Sequence, residues 1–207
     1  MCGRFFIEEE SPEFFSIVEA VNKSPLTSKW LATTGVTTSG EIRPTNVVPV
    51  IASSKSGKQT VYPMKWGFTN ERGSNPLLIN ARVETASIKP TFKEAWAAHR
   101  CIVPASYYFE WEHFIGNDGK KRTGDKYMIQ PKDAAITWLC GLYRIENGLP
   151  VFVILTKSPS EQIRFIHDRM PLIMPNSLMS EWIKPGNKPE ELLCEAQSDM
   201  IFEKAAG

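Results

Sequence analysis

Cys101-Ile102-Val103-Pro104-Ala105-Ser106-Tyr107-Tyr108-Phe109-Glu110-Trp111 decides the fold class. Its density of β-branched and aromatic residues reads as one long strand. Strand alternation puts Tyr107, Phe109 and Trp111 on one face and Tyr108, Glu110 and Glu112 on the other. Gly116-Asn117-Asp118-Gly119 then reads as a hairpin turn leading into Tyr127-Met128-Ile129. Working outward, residues 135–145 and 150–156 form a second hairpin around Glu146-Asn147-Gly148. Val50-Ile51-Ala52 and Thr60-Val61-Tyr62 form a third around a Ser-Lys-Ser-Gly-Lys turn. Residues 4–8 are a further short strand, and residues 77–83 another, with Leu78, Asn80 and Arg82 sharing a face.

Helical signals are shorter and peripheral. Ser11 and Pro12 start a helix with an apolar face of Phe14, Phe15, Ile17, Val18 and Val21. Pro90 opens another with Phe92, Ala95 and Trp96. Ser158-Pro159-Ser160-Glu161 reads as a capping box for a helix ending near His167. Residues 22–40 read as irregular chain, and residues 176–183 and 189–197 as two short final helices. The expected fold is α+β: one domain over residues 2–207, a mostly antiparallel, compact or barrel-like sheet with peripheral helices.

Composition narrows the function classes. The chain has 207 residues, 42% of them hydrophobic and 23% charged, enough to bury a sizeable core. A net charge of +1 gives no global field for nucleic acid, so a nucleic-acid surface has to be a local basic patch. Cys2, Cys101, Cys140 and Cys194 are widely spaced, with neither a zinc pattern nor a disulfide framework. No metal or cofactor is expected. No signal peptide and no membrane-spanning apolar run are read, so the chain is expected to be cytoplasmic.

Met1-Cys2-Gly3-Arg4 carries the chemistry. Removal of the initiator Met1 would leave Cys2 with a free α-amine and a thiol two carbons apart. Such a 1,2-aminothiol condenses with an aldehyde to an imine, and the thiol then closes on the imine carbon to give a thiazolidine. The unperturbed groups titrate near about 8 and about 8.5. A neighbouring cation such as Arg4 is expected to favour thiolate.

Three polar residues interrupt apolar or strand-like stretches: Asn80 after Leu77-Leu78-Ile79, Glu110 between Phe109 and Trp111, and His167 at the end of an apolar segment. Each has an ordinary account, as a loop-bonding amide, a solvated strand residue and a satisfied histidine.

Met1-Cys2-Gly3-Arg4, Arg43-Pro44-Thr45-Asn46-Val47-Val48-Pro49, Trp66-Gly67, Asn80-Ala81-Arg82-Val83-Glu84-Thr85, Phe109-Glu110-Trp111 and His167-Asp168-Arg169-Met170-Pro171 occur in that order. The set resembles the SRAP family, the SOS response-associated peptidase domain of abasic-site processing proteins. The resemblance implies covalent capture of abasic sites in single-stranded DNA as a thiazolidine, with associated lyase activity, in the DNA-damage response. It implies that Cys2 is the covalent residue, that Asn80 orients its amine or the adduct, and that Glu110 shuttles protons. His167 would act as an acid, a role that a helix C-terminus favours.

Arg4 and Arg82 resemble the family's phosphate contacts, Asn46 and Pro49 its Asn-x-x-Pro element, and Thr156 a backbone-contacting position. Trp66 could stack a base or belong to the core. The resemblance further implies a monomer that acts on single-stranded DNA, apart from any membrane, and joins the nucleoid on damage. In many relatives the loop after Trp-Gly supplies an aromatic wedge; here residues 69–76 contain no aromatic. Two other readings stay open: a thiol peptidase with an N-terminal nucleophile that removes its own Met1, and a non-enzymatic single-strand-binding module.

Overall fold

The computed structural model describes residues 2–8, 11–70 and 77–205. Strand β1 (Arg4–Ile7) is followed by helices α1 (Pro12–Asn22) and α2 (Thr27–Leu31), then by β2 (Gly40–Ile42). The hairpin β3 (Val47–Ser53) and β4 (Gln59–Trp66) leads to short strands β5 (Phe68–Thr69), β6 (Leu77–Leu78) and β7 (Asn80–Arg82). Helices α3 (Val83–Ala86) and α4 (Pro90–Ala98) precede β8 (Arg100–Ala105), β9 (Tyr107–Ile115) and β10 (Lys121–Pro131). Next come β11 (Thr137–Glu146), β12 (Leu149–Lys157), β13 (Met170–Pro171), α5 (Met179–Ile183) and β14 (Met200–Lys204). Single 3₁₀ segments occupy Glu161–Ile163, Asn176–Leu178 and Pro189–Glu195.

Five strands, in the order β11-β8-β3-β4-β12, close into a barrel because β12 pairs with β11 on one edge and β4 on the other. A second sheet has the order β14-β10-β9-β1-β2. The fold is thus α+β and mostly antiparallel. The exceptions are the parallel pairings of β12 with β4 and with β7.

The stretch that reads as one strand is two. β8 belongs to the barrel and β9 to the second sheet, and the chain changes sheets at Ser106. The buried Ser106 secures that corner with three hydrogen bonds. Its N–H donates to Phe6 O at 2.8 Å, its Oγ accepts from Glu8 N–H at 2.9 Å, and its carbonyl accepts from Thr137 Oγ1 at 2.9 Å. The corner lays the first strand against β9, with Arg4 opposite Phe109 and Phe5 opposite Tyr108. Where β8, β11 and β12 meet, only a glycine fits: a Cβ on Gly141 would lie 2.8 Å from Val153 O.

Other departures have local causes. Residues 22–40 are not all irregular: α2 forms there and buries Trp30, whose indole N–H donates to Pro63 O at 3.1 Å. Ser11 bonds Glu13 Oε2 at 2.5 Å instead of capping α1. The predicted helix after Ser158 is a single 3₁₀ turn, with Ser160 rather than Ser158 preceding it and no side-chain cap. Ile163 and Ile166 are both buried, and a tight turn brings residues three apart onto one side. β14 was not foreseen. No helix among the described residues is long and apolar enough to cross a membrane.

Arg100 is buried at the root of β8 and binds the C-terminal segment to α4. Its guanidinium donates to the carbonyls of Trp182 and Trp96 at 2.7 Å, Ala97 at 3.0 Å, Lys184 at 2.6 Å and Asn187 at 3.2 Å. Replacing it leaves several carbonyls without a donor, each worth about 1–3 kcal/mol when dry. Arg100→Met should therefore lower the unfolding free energy by at least about 3 kcal/mol, read from the urea midpoint.

Candidate active site

Cys2 lies fully buried between the barrel and the second sheet. Two contacts place it. Asn80, the first residue of β7, donates from Nδ2 to the Cys2 carbonyl at 2.9 Å. The Cys2 Sγ faces Arg4 O at 3.9 Å. Asn80 is fixed in turn by the parallel pairing of β7 on β12, where it stands opposite Ile154. Its Oδ1 is buried with no hydrogen-bond partner, an acceptor available beside Cys2.

Glu110 is buried on β9, and its Oε1 accepts from Trp111 N–H at 3.3 Å. Burial pushes the Cys2 thiol pKa far up, the Glu110 charge adds to this, and the Arg4 carbonyl contact opposes it only in part. The expectation that Arg4 favours thiolate is therefore corrected. The Arg4 guanidinium instead pairs with Glu41, and its Cζ lies 5.6 Å from the Trp111 ring centroid. At rest the thiol is protonated.

His167 is largely buried. Its Nδ1 accepts from Arg169 N–H at 3.0 Å, which puts the proton of the neutral ring on Nε2. Asp168 Oδ1 lies 2.8 Å from the same Nδ1, ready to take a hydrogen bond once that nitrogen is protonated. Burial pulls the His167 pKa below its ordinary value, while the charges of Glu110 and Asp168 pull the other way. The helix C-terminus expected to hold His167 charged is absent, because only a 3₁₀ turn precedes it.

The remaining candidates divide. Arg82 is exposed at the end of β7 and lines a cleft of about 550 Å³ that also contains His167. Arg4 lies on the outer face of the second sheet, where Arg43 at 3.1 Å and Lys126 at 3.0 Å join it around the single carboxylate of Glu41. Three cations on one carboxylate leave this cluster with a net positive charge. Asn46 closes a turn, its Oδ1 accepting from Arg43 N–H at 2.8 Å, next to Thr45 with φ 78. Pro49 is buried in β3 opposite Pro63.

Trp66 is fully buried between Phe5, at 5.3 Å between ring centroids, and Phe152, at 6.1 Å, and donates to Ile79 O at 2.9 Å. It supports the site from within the core and offers no face to a base. Thr156 is buried opposite Arg82, and its Oγ1 lies 3.4 Å from Ala81 O. The loop without an aromatic falls partly outside the described residues, at 71–76.

Three participants were missed. Arg169 reaches Glu84 with two nitrogens at 2.6 and 2.9 Å and donates to Thr156 O at 2.6 Å. It thereby ties Asn80-Ala81-Arg82-Val83-Glu84-Thr85 to His167-Asp168-Arg169-Met170-Pro171; the opposite charges in the two motifs were the available signal. Tyr108 shares a strand face with Glu110, and its hydroxyl is buried without a partner. Burial raises its pKa well above the phenolic value, with the charge of Glu110 adding to the effect. His113 packs against His167 with ring centroids 4.7 Å apart and the rings tilted by 54°. No group of three or more His, Cys, Asp or Glu among the described residues could hold a metal ion.

The structure thus brings together a buried cysteine at position 2, whose carbonyl is held by an amide, with a carboxylate, a histidine and a neighbouring cationic cleft. The chain belongs to the SOS response associated peptidase (SRAP) family, whose profile matches residues 1–204. It is 29% identical over 202 residues to abasic site processing protein YoqW of Bacillus subtilis, covering 93% of this chain and 84% of that protein. It is 31% identical over 150 residues to abasic site processing protein YedK of Escherichia coli, covering 67% and 64% of the two chains. A crystal structure of a Bacteroides thetaiotaomicron protein shares the fold with a TM-score of 0.74 at 21% identity, over 100% of this chain and 93% of that one.

Arg169→Lys should lose the paired hydrogen bonds to Glu84 and lower stability by about 1–3 kcal/mol in denaturant titrations. Glu41 gives a pH prediction. Burial opposes its ionisation, but the hydrogen bonds and charges of Lys126 and Arg4 outweigh burial and hold its pKa down at about 2, from 4.5. A carboxyl depressed on folding stabilises above its unfolded value, and that contribution disappears as pH falls from 4.5 to about 2. Unfolding free energies measured across this window should slope less steeply in Glu41→Gln than in the parent.

Proposed function

We propose that this protein captures the aldehyde of an abasic site in single-stranded DNA as a thiazolidine on Cys2, once Met1 has been removed, with strand cleavage as a branch of the same chemistry. The carrying observation is the convergence of Asn80, Glu110 and His167 on a buried Cys2 beside the Arg82 cleft. The reading treats residues 2–207 as one working domain that acts as a monomer, in the cytoplasm and on damaged nucleoid DNA.

The raised pKa of the buried thiol favours the amine as the first nucleophile. The Cys2 amine adds first to the sugar C1′ carbonyl. The resulting hydroxyl takes a proton and leaves as water, giving the imine. The thiol then attacks the imine carbon and gives its proton to the Glu110 carboxylate, while the C=N pair returns to nitrogen, which is protonated. One water is lost overall. Asn80, which holds the Cys2 carbonyl, keeps the amine aimed at the cleft. From the imine, loss of a C2′ proton with rupture of the C3′–O bond cleaves the strand. His167 supplies the acid that opens the sugar ring. Its lowered pKa means that this acid form gains population as pH falls below 6.5.

The peptidase reading needs a thiolate at rest and an oxyanion site, and burial of the thiol works against the first. Pure single-strand binding leaves the buried Cys2 centre without a use.

Intact mass separates these readings. Protein lacking Met1, mixed with an oligonucleotide bearing one abasic site, should gain the mass of the DNA minus one water and gain nothing with intact DNA. Cys2→Ser should give no stable adduct but should still be trapped as the imine by borohydride, because its amine remains. A stable adduct in Cys2→Ser at parental yield would refute thiazolidine formation. Imine-linked strand cleavage should accelerate as pH falls from 7 to 5, and His167→Gln should flatten that profile.

A further inference from the structure

The β9–β10 hairpin projects beyond the second sheet and forms one wall of the cleft that holds His167 and Arg82. Its position is fixed from both sides. Ile115 pairs with Lys121 and His113 with Thr123 across the hairpin, and His113 N–H donates to Ile166 O at 3.0 Å, next to His167. On this wall Phe114 is 44% exposed and Ile115 68% exposed, two adjacent large apolar side chains held in water. Gly124, at the irregularity in β10, makes room for the Glu112 carboxylate and the Phe114 ring, since a Cβ there would meet Glu112 Oε2 at 2.7 Å and Phe114 Cε1 at 3.2 Å.

The charges around these side chains are not evenly committed. Arg164 is paired with Glu161 at 2.6 Å and Arg169 with Glu84 at 2.6 Å. Arg82 and Lys121 line the same cleft and have no ion pair among the described residues. Asp168 is the one carboxylate in the lining, and it faces His167. The cleft therefore offers two uncommitted cations and an imidazole beside an exposed aromatic ring. Its volume of about 550 Å³ is in the range of small-ligand sites. Cations that take phosphates, with aromatics that stack bases, are the combination that binds single-stranded nucleic acid.

We propose that this hairpin is a nucleotide-binding wall: Phe114 takes the base next to the reacting sugar, and Lys121 and Arg82 take its phosphodiester. The assignment rests on the abasic-site reading for the position of the sugar, but the surface itself can be tested without any covalent step.

The probe is a fluorescent single-stranded oligonucleotide carrying a tetrahydrofuran abasic analogue, which has no aldehyde and forms no adduct. Phe114→Ala should weaken its binding by between about 5-fold and 150-fold, the range for loss of one base–aromatic stack. Lys121→Glu should weaken binding at low salt and reduce the dependence of log affinity on log salt by at least about one counterion. Phe15→Ala, at a ring 59% exposed on α1, should bind as the parent does. Parental affinity in both Phe114→Ala and Lys121→Glu would overturn the proposal, as would a parent protein that does not bind the probe. Weakened binding in both variants, with no adduct between the parent and a true abasic site, would support the wall and refute the aldehyde chemistry. The two ideas therefore fail separately.

Discussion

The hydrogen bond from Asn80 Nδ2 to the Cys2 carbonyl, 2.9 Å long, joins the start of the chain to the barrel. β1 belongs to the second sheet through its pairing with β9, and β7 belongs to the barrel through its pairing with β12. Asn80 is thus the point where one sheet grips the residue that leads into the other. Everything the site can do follows from holding residue 2 inside the protein. Desolvation raises the thiol pKa and so disfavours the thiolate. On the proposed chemistry, the same burial would exclude water from an imine that water hydrolyses.

The support behind this contact is ionic and runs between motifs far apart in sequence. Arg169 holds Glu84 with two nitrogens and Thr156 O with one of them, which ties α3, β12 and the His167 segment together. Paired, charge-assisted bonds of this kind fix orientation as well as distance. The Asn-Ala-Arg-x-Glu-Thr motif thereby serves two ends: its Asn faces Cys2 and its Glu clamps the histidine segment. On the other face Glu41 gathers Arg4, Arg43 and Lys126, which keeps a cluster of like charges together without neutralising it.

Much of this was legible in the sequence because it is local. The aminothiol needs only residues 1 and 2, hairpins announce themselves through Asn-Gly and Gly-rich turns, and Asn80, Glu110 and His167 stand out against apolar neighbours. What was hidden depends on non-local partners. The break at Ser106 leaves no mark, because alternation continues through it; Phe6, Glu8 and Thr137 supply the bonds that turn the chain. Trp66 at a strand end looks alike exposed or buried, and the packing of Phe5 and Phe152 against it decides it. The capping-box spelling at Ser158 was overruled by the need to bury Ile163 and Ile166 together.

The ionisation of His167 illustrates how a site residue is tuned by its surroundings rather than by its element. A helix terminus would have held it charged. The structure instead offers burial, which favours the neutral ring, and an Arg169 N–H that fixes the tautomer at Nε2. Protonation must break the bond to Arg169 and turn Nδ1 into a donor toward Asp168. Charge on His167 is therefore coupled to a small local rearrangement between the two residues that follow it. A substrate phosphate entering the neighbouring cleft adds negative potential near the ring and favours the charged form. On the proposed chemistry, substrate binding and arming of the acid would be parts of one electrostatic event, and a neutral resting ring would avoid an uncompensated buried charge before DNA arrives.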